Sequence, residues 1–112
     1  MNPEVSVIIL AYNTGKYIAQ AIDSALRQTQ KNIEVIVVDD GSTDNTLEII
    51  KSFDDKRLKV FFNQQNRGQN FCTNLAIKEA QGNWITRLDS DDWYAVDRLE
   101  KLLNIAYSRN VD

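Results

Sequence analysis

The sequence predicts an α/β protein, a three-layer α/β/α arrangement around a mainly parallel sheet of about four strands. Three observations predict it. Short β-branched or aromatic runs alternate with apolar stripes at helical spacing. The alternation repeats four times, about every 28 residues, close to the roughly 30 of a strand, a crossover helix and their turns. The runs are also near-continuously apolar, which suits strands covered on both faces of a parallel sheet. With a single proline, Pro3, and no linker or low-complexity segment, residues 1–112 are expected to form one domain.

The first strand is Val5 to Leu10, followed by a helix whose Ile18, Ala21, Ile22, Ala25 and Leu26 share one face. The second strand is Ile33 to Val38. After it, Gly41-Ser42-Thr43-Asp44-Asn45 offers helix N-caps, and Asn45 with Glu48 has the form of a capping box before Leu47, Ile50 and Phe53. Leu58 to Phe62 is the third strand. Cys72, Leu75, Ala76 and Ala80 form the next stripe, with Gly82 as its C-terminal stop. The fourth strand, Asn83 to Leu88, is weaker because Thr86 and Arg87 interrupt it. Val96, Leu99, Leu102, Leu103 and Ala106 form the clearest stripe of all. Right-handed crossovers would place these helices on both faces of the sheet.

Composition excludes several chemistries. There is no histidine, which removes Ser-His-Asp and Cys-His nucleophile systems and His-ligated zinc. Cys72 is the only cysteine, so there is no intrachain disulfide and no CxxC site, and on its apolar stripe it is expected in the core. A net charge of −3 and an isoelectric point near 4.9 argue against nucleic-acid binding. The longest apolar run, Val7 to Ala11, is far short of the roughly 20 residues that cross a bilayer, and the N-terminus lacks a signal-peptide pattern. The chain reads as cytoplasmic.

In open α/β sheets, ligands bind outside the carboxyl ends of the strands. Here those ends are Ala11-Tyr12-Asn13, Asp39-Asp40-Gly41-Ser42, Asn63-Gln64-Gln65-Asn66-Arg67-Gly68 and Asp89-Ser90-Asp91-Asp92-Trp93. Crowded carboxylates raise one another's pKa unless a cation or donors sit among them. The Asp89–Asp92 cluster therefore suits Mg²⁺ or Mn²⁺ shared with substrate phosphates, or else a solvated turn capping the last helix. Asp39-Asp40 suits either donors of a nucleoside or plain turn chemistry. Neither G-x-G-x-x-G nor G-x-x-x-x-G-K-[ST] occurs, so a metal at the second cluster would supply the charge that a glycine cradle does not. Tyr12 could stack on a base or plug the sheet end. Arg67 and Arg87 are candidate phosphate partners, and Trp84 and Trp93 read as packing residues.

Val5-Ser6-Val7-Ile8-Ile9-Leu10-Ala11-Tyr12-Asn13, Ser24-Ala25-Leu26-Arg27-Gln28-Thr29 and Glu34-Val35-Ile36-Val37-Val38-Asp39-Asp40-Gly41-Ser42-Thr43-Asp44 resemble family 2 glycosyltransferases. So do Asn66-Arg67-Gly68, Asn74-Leu75-Ala76-Ile77, Ala80-Gln81-Gly82 and Leu88-Asp89-Ser90-Asp91-Asp92. The resemblance implies a Rossmann-like GT-A fold, a nucleoside-diphosphate-sugar donor (UDP-linked), a divalent metal and inverting transfer to an acceptor hydroxyl of a saccharide or lipid-linked saccharide. It implies substrate-binding roles for Ala11, Tyr12, Asn13, Asp39, Asp40, Gly68, Asn74, Asp89 and Ser90. Within that set Asp40 meets the base with Tyr12 against it, and Asp89 lies near the ribose. Asp91 and Asp92 are implied as metal-binding. Leu10 stands where the family often has Pro, and Thr73 where a basic residue is common.

About 20 residues follow Asp92, enough for one helix. The expectation is a donor-binding half whose catalytic base and acceptor half lie outside this chain, at the cytoplasmic face of a membrane in the complete enzyme. Alone it would bind nucleoside diphosphate weakly and transfer sugar poorly, and an apolar sheet edge would favour a homo-oligomer. A non-catalytic domain that keeps the fold is the alternative. A phosphotransfer receiver would need an acidic pair after the first strand, where Tyr12-Asn13 stands.

Overall fold

The β-branched runs pair side by side in the computed structural model, which describes residues 2–108. The elements are β1 (Val5–Ala11), α1 (Ile18–Leu26), β2 (Ile33–Asp40), α2 (Thr46–Lys51), β3 (Leu58–Asn63), α3 (Gln69–Glu79), β4 (Trp84–Arg87) and α4 (Arg98–Ser108). The strands form one all-parallel sheet in the order β3-β2-β1-β4. The α/β class and the four alternating units are as the sequence predicts.

Side-chain alternation along the strands divides the core in two. Val7, Ile9, Val35 and Val37 point to one face and pack with Ile18 and Ile22 of α1, Ile50 of α2, and Leu99 and Leu103 of α4. Ile8, Ile36 and Val38 point to the other and meet Cys72 and Ala76 of α3. Full burial of Ile9, Ile18, Ile22 and Ile36 contributes about 1.5–3 kcal/mol each. Because α3 crosses the opposite face from α1 and α2, β4 lands beside β1 rather than beyond β3. The strand order therefore reverses between β1 and β4, and a crevice opens above that point.

Only β2 is buried along its whole length. β3 and β4 are edge strands. Phe62 is more than half exposed, with the Lys51 ammonium 4.8 Å from its ring centroid. β4 alternates half-buried and exposed positions over four residues. The α4 stripe is narrower than its sequence suggests. Val96 precedes the helix and is exposed, as is Leu102, so the packed seam is Leu99 and Leu103.

Two caps differ from expectation. Asn45 makes no side-chain cap bond, so the Asn45–Glu48 box is not formed. The Asp44 carboxylate instead accepts the Thr46 N–H at 2.9 Å and the Thr46 hydroxyl. α3 ends at Glu79, ahead of Gly82. Gly82 answers a different need, since a Cβ there would lie 2.6 Å from the Ser6 nitrogen.

That contact belongs to a polar cluster inside the sheet. Gly82 donates to Ser6 Oγ at 2.8 Å, and Ser6 donates to the buried Glu34 carboxylate. Glu34 also accepts the Gln81 N–H at 2.6 Å and faces Lys59 Nζ at 2.7 Å. The cluster fastens the α3–β4 connection against β1 and so sets where β4 begins. Among the described residues, no helix is long and apolar enough to cross a membrane.

Candidate functional site

Three strand tips surround the crevice. Leu10, Ala11, Tyr12, Thr14, Asp40, Gln69, Cys72, Arg87, Asp89, Ser90 and Asp91 enclose about 420 Å³. Asp40 leaves the end of β2, while Asp89 and Asp91 follow β4 across the switch point. Carboxylates 49 and 51 positions apart in sequence thus face one cavity, because β1 alone separates the two strands that carry them.

Asp40 is held hard. Its Oδ1 accepts the Asn63 side-chain amide at 2.9 Å and the Arg67 N–H at 2.7 Å, and its Oδ2 accepts the Gly68 N–H at 2.9 Å. Burial works to raise its pKa, but these donors outweigh burial and keep the carboxyl below the ordinary aspartate value. The loop after β3 is wrapped around this one anion, which orients α3 so that Gln69 and Cys72 reach the cavity. The Cys72 thiol is pushed up to about 11, first by burial and then by the Asp40 charge, so it is neutral at physiological pH.

Asp39, one residue earlier, points to the other face. It accepts the Ser42 N–H at 3.2 Å and the Ser42 hydroxyl at 2.5 Å, which is turn chemistry. Asn13 adopts a left-handed φ of 52° and ties two loops together. Its N–H donates to Ser42 Oγ at 2.9 Å, and its Oδ1 accepts the Thr43 N–H at 2.8 Å. Gly68 contributes through its N–H rather than by lining the cavity. Asn74 is exposed on α3, away from the crevice lining.

The turn after β4 divides its acids. The Asp92 N–H donates to the Asp89 carbonyl at 3.0 Å, and the Asp92 carboxylate accepts the Trp93 N–H at 2.8 Å. Asp91 lines the crevice, Asp92 lines a neighbouring cavity of about 340 Å³ with Trp93, Tyr94 and Arg98, and Asp89 and Arg87 border both. Trp93 is 59% exposed, so the packing role expected for it is not what this structure gives it. Trp84 does pack, edge-on to Tyr107 with ring centroids 5.9 Å apart.

Residues 6–112 match the model of a family described as "Glycosyl transferase family 2". The chain belongs to glycosyltransferase family 2.

An "Uncharacterized glycosyltransferase" of Haemophilus influenzae is 48% identical over 104 residues, covering 91% of this chain and 42% of that protein. A crystal structure of S. aureus TarS 1-349 in complex with UDP matches with a TM-score of 0.85 at 35% identity, over 96% of this chain and 32% of that one. The mannosyltransferase PcManGT from Pyrobaculum calidifontis, in complex with GDP-Man and Mn²⁺, matches with a TM-score of 0.84 at 27% identity, over 95% of this chain and 33% of that one. The chain thus spans less than half the length of each. Its fold is the GT-A fold of these structural neighbours.

Among the described residues, no three Asp, Glu, His or Cys side chains are grouped closely enough to hold a metal ion by themselves. Mg²⁺ and Mn²⁺ do not require such a cage, because they take one or two carboxylates together with substrate phosphates and water. Exposed Asp89 and Asp91 are hard oxygen donors of that kind, so the donor set fits an ion shared with a phosphate.

Gln69, Thr14 and Leu10 were not legible as crevice residues in the sequence. Gln69 carried one usable signal, since it opens the helix directly after Asn66-Arg67-Gly68. Arg67 does not line the crevice. Its guanidinium stacks 4.5 Å from the Phe71 ring centroid, and its contribution is the main-chain N–H to Asp40.

Proposed function

We propose that this chain supplies the donor-binding half of an inverting glycosyltransferase, holding a nucleoside-diphosphate sugar, UDP-linked by preference, across the β1–β4 switch point. The observation that carries the reading is the convergence of Asp40, Asp89 and Asp91 on one crevice. Asp40 already takes three donors from its own loop, and a cation that enters with the ligand would offset the charge of the exposed Asp89 and Asp91. The UDP and GDP-Man described with the TarS and Pyrobaculum structures are ligands of that chemistry.

In this reading Tyr12, 47% exposed at the cavity mouth, lies against the base, and Asp40 accepts from the base edge with the lone pair its loop leaves free. Ala11 and Ser90 border the ligand, and Asp89 accepts from the ribose. Asp39, Asn13 and Gly68 act one step back, by shaping the loops. Asp91 and Asp92 would hold the divalent ion, Asp91 from the crevice and Asp92 from the adjoining cavity, with Asp89 bordering both. When bound, that ion supplies Lewis acidity that stabilises the departing diphosphate. The acceptor hydroxyl, of a saccharide or lipid-linked saccharide, attacks the anomeric carbon. The bond to the diphosphate oxygen breaks with its electron pair, and the acceptor proton passes to a base. We assign that base to a residue outside this chain, because Asp40 is engaged by its loop and Asp89 and Asp91 by the donor.

The test is thermal melting with UDP, GDP, CDP and TDP, each with and without Mn²⁺. Ligand at 100 times its Kd adds about 2.7 kcal/mol, several degrees in a domain of this size. A shift that needs nucleotide and metal together, and is abolished by Asp91→Ala, is expected. No shift with any nucleotide would overturn the reading and leave a domain that keeps the fold without the binding.

A further inference from the structure

The crevice is lined by three carboxylates and, among the described residues, a single cationic side chain, Arg87. Arg87 is the last residue of β4 and pairs with Ile8 of β1 in the parallel ladder. Its side chain therefore leaves the sheet on the α3 side, the side of Leu10 and Cys72. Its guanidinium makes no hydrogen bond among the described residues, and its one ion pair is loose, Nε to Asp89 Oδ1 at 3.8 Å.

Other arginines are engaged. Arg57 donates to Asp55 Oδ2 and to the Leu26 carbonyl, each at 3.0 Å. Arg98 stacks on Tyr94 at 4.9 Å, as Arg67 does on Phe71. Among the described residues, Arg87 alone combines a position in the crevice wall with an uncommitted planar fork of donors, the geometry that suits bidentate phosphate recognition. Repulsion explains why the position matters. A diphosphate entering beside Asp40, Asp89 and Asp91 meets negative charge from both β2 and β4, and one divalent ion leaves part of it unbalanced.

We propose that Arg87 is a substrate-binding residue that clamps the diphosphate of the donor, moving from its loose pairing with Asp89 onto phosphate oxygens. The proposal rests on the donor-binding reading given above and assigns that site a residue the acidic motifs do not contain. Arg87 then selects for a diphosphate over a monophosphate or a free nucleoside, whatever the base.

The experiment compares the wild type with Arg87→Gln and Arg87→Lys. The probes are UDP and GDP, each alongside its monophosphate and its nucleoside, with Mn²⁺, by titration calorimetry. The guanidinium is half exposed and unbonded, so Arg87→Gln is expected to melt like the wild type without ligand. Diphosphate affinity is expected to fall about tenfold or more, as for loss of a charge-assisted hydrogen bond, with nucleoside affinity unchanged. Arg87→Lys should recover part of the loss, and added salt should weaken the wild type more than Arg87→Gln. Equal losses for nucleoside and diphosphate would overturn the proposal, because Arg87 would then act only by holding Asp89. Undiminished diphosphate binding by Arg87→Gln would overturn it too while leaving the donor reading intact. Failure of the wild type to bind either diphosphate would bring down both.

Discussion

The Asp40 carboxylate accepts the Gly68 N–H at 2.9 Å, so the acid at the tip of β2 is also the anchor of the loop that opens α3. One side chain closes the crevice floor and shapes its wall. Asp40→Asn keeps the size of the side chain but turns an acceptor into an amide that cannot satisfy the N–H groups of both Arg67 and Gly68. Stability should fall by about 1–3 kcal/mol, the cost of leaving a buried donor unpaired, and nucleotide-induced stabilisation should vanish. Urea unfolding with and without UDP and Mn²⁺ measures both.

Gly41 lets that loop come close. Its φ is +74°, and a Cβ would lie 2.5 Å from the Gln65 carbonyl carbon, a backbone atom that cannot swing aside. Gly41→Ala should therefore cost more than about 2 kcal/mol, strain and clash acting together. A variant that melts with the wild type would show that the β3–α3 loop yields freely.

Gln28 is fully buried and latches α1 to the segment after Asp92. Its Nε2 donates to the Ala95 carbonyl at 2.7 Å, and its Oε1 accepts the Leu99 N–H at 3.0 Å. Gln28→Ala leaves both main-chain groups unpaired beside a cavity, a loss of about 3 kcal/mol. Chemical denaturation gives the size. Retained stability would mean that water replaces the amide.

Acid should loosen the sheet through Glu34. Burial pushes its pKa up, but the Gln81 N–H, the Lys59 ammonium and the Ser6 hydroxyl together pull it below the ordinary glutamate value. A depressed folded-state pKa contributes stability that is complete above the unfolded value and is lost as pH falls through the folded one. Unfolding free energy should drop as pH falls through the ordinary glutamate range and below it, and Glu34→Gln should flatten that slope. An unchanged slope in the variant would assign the acid sensitivity elsewhere, to Asp40 or Asp55.

Tyr12 separates stacking from hydrogen bonding. Tyr12→Ala should weaken nucleotide binding by about 1–3 kcal/mol, the range for loss of an aromatic platform, and Tyr12→Phe should keep most of it. Equal affinity in all three proteins would reduce Tyr12 to a plug at the sheet end.

Much of this architecture is legible residue by residue. Val5 to Leu10 and Ile33 to Val38 announce central parallel strands because both of their faces need cover, and the acids at the strand ends announce a site because ligands gather there. Gln28 and Glu34 are not legible, because a buried polar residue resembles a surface one until its partners are known. Those partners lie far along the chain: Ala95 and Leu99 for Gln28, Gln81 and Lys59 for Glu34. The Asn45–Glu48 box and the Gly82 stop illustrate the same limit. Each is locally sound and was overridden by a contact from elsewhere, Asp44 with Thr46 in one case and Ser6 against Gly82 in the other.

Element order, the parallel sheet and the strand tips that carry carboxylates follow from the amino-acid pattern alone, because periodicity and turn chemistry are local properties. Which acids share a cavity depends instead on long-range packing. Where α3 crosses the sheet places β4 beside β1, and the turn after β4 points Asp91 inward and Asp92 away, choices made by packing across the whole fold.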